Sequence, residues 1–116
     1  MSLEDTKSLF TEQPVVDLAE LIQRARDLKA TRLLLLAGKA PVCRIGEQLS
    51  PPLTNERLHF SQTESLANAV LSETQKQELD KSGSIEFELS LESGTHQCSV
   101  FYGNGSHNII VFLPAQ

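Results

Sequence analysis

The segment from Thr31 to Leu36 sets the strongest constraint on how this chain folds. Four consecutive leucines, Leu33 to Leu36, run into Ala37 and are bounded by Gly38 and Pro41. A short, continuous apolar run between turn residues predicts a central strand in a sheet covered on both faces. The Ala37-Gly38-Lys39-Ala40-Pro41 segment reads as a turn, and Val42 to Ile45 as the returning strand of a hairpin. Strand alternation places Cys43 and Ile45 on one face and Val42 and Arg44 on the other. Gly46-Glu47 makes the next turn, and Ser50-Pro51-Pro52 ends regular pairing because proline cannot donate to a ladder.

Ahead of this hairpin, from Pro14 to Lys29, Val15, Leu18, Leu21, Ile22, Ala25 and Leu28 recur at three- and four-residue spacing, which predicts an amphipathic helix. Behind it, Ser61-x-x-Glu64 and Ser72-x-x-Gln75 have the form of capping boxes opening two short helices, the second mostly exposed and stopped by Gly83. From Ser84 the period changes to two. Ile85, Phe87, Leu89 and Leu91 alternate with Glu86, Glu88 and Ser90, predicting a strand with one buried and one wet face. Turns at Ser93-Gly94 and at Gly103-Asn104-Gly105-Ser106 then give a three-stranded antiparallel meander with strands over Thr95 to Tyr102 and His107 to Leu113, and Tyr102 facing His107. The reading is an α+β, two-layer domain: a mostly antiparallel sheet, hairpin plus meander, packed against an N-terminal helix and two middle helices. Residues 1–13 are expected to form a flexible lead-in and residues 14–116 a single domain, because a chain of 116 residues has one core's worth of apolar surface.

Charge and composition narrow the function. A formal charge of −5, with no cluster of basic residues, argues against nucleic acid as a partner. The longest apolar run is far below the roughly 20 residues that span a bilayer, and Glu4 and Asp5 stand where a signal peptide carries cations, so a cytoplasmic location is expected. Cys43 and Cys98 lack metal or redox spacing and read as buried, reduced thiols. His59, His96 and His107 have no ligand spacing, and Cys98 shows no oriented imidazole to activate it. Gly38-Lys39 fails the phosphate-loop pattern: Leu33 holds the place of the first glycine, Ala40 follows the lysine, and strands flank it. Glu86 and Glu88, outward on one strand, read as solvation and edge protection. No catalytic, metal or nucleotide residue and no cofactor is assigned, and the chain is not expected to be an enzyme by itself.

The stretch Thr31 to Leu49, TRLLLLAGKAPVCRIGEQL, resembles the segment "SDLHLTAGRPPVLRIDGEL" in the N-terminal domain of the PilT-type pilus retraction and type II secretion ATPase family. Downstream, Pro52-Leu53-Thr54, Leu71 to Gln75, Ile85-Glu86-Phe87 and Cys98 to Phe101 resemble that family's successive "PLT", "LLSEEQ", "ELDFSY" and "RVNVF" pieces, so the likeness runs from about Val15 to Pro114. It implies a PAS-like module that precedes a hexamer-forming ATPase core and packs against a neighbouring subunit, with the nucleotide chemistry in the core. Arg32 and Leu34 stand where the family usually has Asp and His. Gln97, Tyr102 and Asn104 occupy positions at which family members often carry arginines that approach a neighbour's nucleotide, so a nucleotide role is expected to be weakened. The implied function is a non-catalytic packing or regulatory module working through protein contacts, with Arg32, Lys39, Arg44 and Tyr102 as candidate contact residues. Its partners would be an ATPase core, a neighbouring motor subunit or a homodimer mate. The alternative is a stand-alone PAS-like sensor or adaptor that binds a small ligand such as a nucleotide, or a dimer partner.

Overall fold

The computed structural model describes residues 17–91, 94–103 and 105–113. The expected flexible segment 1–13, the start of the first helix at Pro14, and Asn104 of the last hairpin turn lie outside them. Helix α1 spans Leu18–Asp27, with Asp17 Oδ1 accepting the Glu20 N–H at 3.0 Å as its cap. Its other end closes through two bonds, Lys29 N–H to the Arg26 carbonyl and Ala30 N–H to the Ala25 carbonyl, both 2.9 Å. That closure sets Lys29 at φ 61°, a left-handed position more often given to glycine.

Strands β1 (Arg32–Leu35), β2 (Val42–Ile45) and β3 (Gln48–Leu49) follow. The last of these was not expected from the sequence. Two residues carry too little periodicity to register as a strand, and Ser50 is what holds it to β2: its N–H bonds the Cys43 carbonyl and its Oγ accepts the Cys43 N–H at 3.0 Å. Helix α2 (Phe60–Val70) starts earlier than expected. His59 is the cap, its Nδ1 accepting the Ser61 N–H at 3.1 Å while Gln62 Oε1 accepts the His59 N–H at 2.7 Å, so the box is His59-x-x-Gln62 and not Ser61-x-x-Glu64. Imidazole Nδ1 supplies the acceptor that serine was expected to supply. Helix α3 (Glu73–Ser82) has the predicted box, Ser72 with Gln75, and ends on Gly83 at φ 82°.

Strands β4 (Ser84–Leu91), β5 (Gly94–Gly103) and β6 (Ser106–Phe112) form the meander, with Tyr102 opposite His107 as expected. Pairing of β1 with β6 joins hairpin and meander into one antiparallel sheet, ordered β3-β2-β1-β6-β5-β4. The core lies on one face of it. Cys43, Leu33, Val111, Cys98 and Phe87 align in a row across five strands and, with Leu35, Ile109 and Val100, pack against Ile22 and Ala25 of α1, Ala67 of α2 and Leu79 of α3. Cys43 and Cys98 are thus three strand spacings apart, about 14 Å, roughly twice the Cα separation a disulfide tolerates. Burial pushes the Cys98 thiol up to about 11, the mark of an inert core cysteine.

The expectation that β1 is covered on both faces is corrected. β1 is central, but among the described residues every helix contributes its buried side chains to the same core, and Leu34 on the opposite face is only half-buried.

Candidate functional site

The helix-free face is built by the strand positions that alternate with the core. One row runs Val42, Leu34, Ile110, Ser99, Glu86 across β2-β1-β6-β5-β4, and the next runs Leu49, Arg44, Arg32, Phe112, Gln97, Glu88 from β3 to β4. A third row brings Asn108 beside Phe101, with Asn108 Oδ1 accepting the Ala37 N–H at 3.0 Å to tie the end of β1 to β6. The middle of the face is aliphatic and aromatic and half-buried, whereas Leu49 at its rim is 57% exposed.

Charge is distributed unevenly over it. Arg32 and Arg44 stand directly opposite each other on β1 and β2, and among the described residues no carboxylate forms a salt bridge with either. The Arg32 guanidinium instead lies 5.2 Å from the centroid of the Phe112 ring, a cation–π contact. Glu86 and Glu88, both exposed, hold the other flank on β4, three strands from Arg32. Directly opposed like charges cost a fraction of a kcal/mol to about 1 kcal/mol, and among the described residues no salt bridge offsets that cost on this flank.

The four candidate contact residues separate into different places. Arg32 and Arg44 meet on the helix-free face. Lys39 lies in the β1–β2 turn, on the wall of a shallow cleft of about 560 Å³ that also has Arg57 and Asn55 on its walls. Tyr102 lies on the helix side of the sheet, 39% exposed, its hydroxyl donating to Asp80 Oδ1 of α3 at 2.8 Å and its ring meeting His107 edge-on with centroids 4.8 Å apart. That hydrogen bond, followed by burial and the Asp80 and Glu64 charges, raises the Tyr102 phenol above its ordinary value. Gln97 is on the helix-free face, so Gln97 and Tyr102 do not converge. His59 caps α2, His107 faces Tyr102, and His96 is buried against the helices, where burial, and then the Arg26 charge, lowers its pKa.

Sequence reasoning missed Ile110 and Phe112 as members of this surface and read Glu86 and Glu88 as solvation and edge protection. The signal was present: residues 109–113 are apolar at every position, as in β1, where a half-wet strand would alternate.

The six-stranded antiparallel sheet with its helices is shared with solved structures of ATPases. The pilus retraction motor PilT with bound ADP matches 87% of this chain at 31% identity with a TM-score of 0.76. The ATPase DotB of Legionella pneumophila matches 84% and that of Yersinia pseudotuberculosis 86%, each at 16% identity and a TM-score of 0.65, a likeness of fold. This chain spans only 28–31% of the length of those proteins. The similarity to PilT is in accord with the N-terminal ATPase domain that the sequence resembles, and the DotB matches agree with it in fold. No family model and no curated protein matches the sequence. Among the described residues no helix is long and apolar enough to cross a membrane.

Proposed function

We propose that this chain is a non-catalytic protein-contact domain of a PilT- or DotB-class ATPase assembly. The observation that supports the reading is the helix-free sheet face, apolar along its centre at Leu34, Ile110 and Phe112, in a chain that spans about 30% of the length of such an ATPase. Half-buried aliphatic and aromatic side chains on this face support the reading, since covering them with another protein would remove apolar surface from water at about 25 cal/mol per Å². The contact would serve the assembly by setting the position of an ATPase core against this domain. Nucleotide hydrolysis would belong to that core.

Two measurements test this. Purified chain incubated with ATP and Mg²⁺ should release no phosphate above a buffer control, and sustained turnover would refute the non-catalytic half. Mixed with the separately expressed ATPase core of a PilT-class protein, it should bind by calorimetry, and Leu34→Asp should weaken that binding. Absence of heat with the core removes the motor-assembly half.

A further inference from the structure

We infer that the helix-free face pairs with the same face of a second copy of this chain, through a two-fold axis running along β6. The inference rests on the reading of that face as a protein-contact surface, and not on the ATPase relationship.

The order of residues across the sheet favours this pairing. With β6 on the axis, β2 of one copy lies over β4 of its partner, and β1 over β5. In the row that contains both flanks, Arg44 then faces the position of Glu88, Arg32 faces that of Gln97, and Phe112 meets its own counterpart. In the adjoining row Ile110 meets Ile110, Leu34 faces Ser99, and Glu86 faces Val42, one row along from Arg44. Arg44 and Glu88 are thereby paired twice, once in each direction, by one symmetry operation, and Ile110 and Phe112 on β6 meet their own counterparts, which is what a self-complementary two-fold interface requires. The same operation brings a carboxylate to Arg44, which has no salt bridge among the described residues. A rotation axis perpendicular to the strands would instead leave β2 over β2 and set arginine against arginine.

Size fixes the strength. Five strands at about 4.8 Å and three rows of side chains at about 7 Å give a footprint of about 24 Å by about 20 Å. That is smaller than the roughly 800 Å² per partner of a stable interface, so the dimer is weak and concentration-dependent.

Sedimentation equilibrium of the full chain, from about 10 μM to about 1 mM, tests the pairing. The average mass should rise from 12.8 kDa toward twice that value, and less steeply at high salt. Arg44→Glu alone and Glu88→Arg alone should each weaken association about tenfold or more, while the two substitutions in one chain should restore it to within about threefold. An equimolar mixture of the two single variants should associate although neither does alone, an outcome that loss of folding cannot produce. A mass fixed at 12.8 kDa over the whole range overturns the inference, as does a dimer indifferent to both reversals. Self-pairing and an ATPase core would compete for this face, so the calorimetry above is run at low micromolar chain, below the self-association range, where it reads core binding separately.

Discussion

Replacing adjacent leucines of β1 separates a covered sheet face from an uncovered one. Leu33 is fully buried, with Cys43 and Val111, themselves fully buried, on either side of it in the core row. Leu33→Ala removes three carbons and leaves a void that close-packed neighbours fill only in part, so the expected loss is about 3–4 kcal/mol. Leu34 carries the same side chain one residue along and on the other face, half-buried between Val42 and Ile110. There the truncated site opens to water and leaves no cavity, and part of the side chain was hydrated already. Leu34→Ala is therefore expected to cost about 1–1.5 kcal/mol. A domain of 116 residues has a total stability of roughly 6–17 kcal/mol, so both variants remain folded enough to measure. Urea unfolding at low micromolar concentration, where self-association is absent, reads the difference directly as a shift in midpoint at constant slope. In thermal melts the corresponding shifts are about 12–16 °C and about 4–6 °C. Equal costs, within about 0.5 kcal/mol, would show that something inside the monomer covers Leu34 and would refute the one-sided arrangement on which the site rests.

Other consequences follow from single residues. The sole tyrosine, Tyr102, should ionise above its ordinary range in a spectrophotometric titration, and Asp80→Asn should bring it down, because the hydrogen bond to Asp80 is the largest cause of the rise. A phenol whose folded pKa is raised adds stability below its unfolded value and loses it as pH rises through the folded one. His96 has the reverse sign: its folded pKa lies below 6.5, so its contribution is complete above that value and fades as pH falls further. His96→Leu should flatten the acid side of the stability profile relative to the parent. Cys43 and Cys98, both buried, should resist an aromatic disulfide reagent in native buffer and release two equivalents in concentrated guanidinium. Gly83→Ala should cost about 1–2 kcal/mol, a purely conformational penalty since no atom lies within 4 Å of the added methyl.

How legible each element was follows from how local its cause is. The Ser72 and Gln75 box and Gly83 announce α3 because cap and stop are chemistry within a few residues. β4 announces itself through strict alternation, which reports a core on one side and water on the other. Less was legible where the determinant is distant or shares a residue type. His59 caps α2 through a ring nitrogen, which pattern reasoning does not rank beside serine, and β3 exists because Ser50 reaches back to Cys43. The separation of Tyr102 from Arg32 and Arg44 depends on strand parity across four strands, a quantity that appears only once the β1–β6 pairing joins the two halves of the sheet.

The one-sided cover of β1 carries the functional argument, because its sequence and its surroundings disagree. Alternation in β4 shows that this chain places polar residues where a strand meets water, yet β1 and β6 are apolar on both faces while, among the described residues, helices cover only one. Folding alone does not call for that pattern: replacing Leu34 and Ile110 by threonine would keep strand propensity and lessen the apolar surface left to water. Such a residue pattern is accounted for if a second surface covers the centre of the sheet in the working state, with the arginine flank and the glutamate flank setting its orientation. Leu34→Thr combined with Ile110→Thr separates the two demands. The double variant should keep the far-ultraviolet spectrum and most of the stability of the parent while losing association in sedimentation. A variant that unfolds, or that associates as before, would place those two side chains in the service of the monomer fold and remove them from the contact surface.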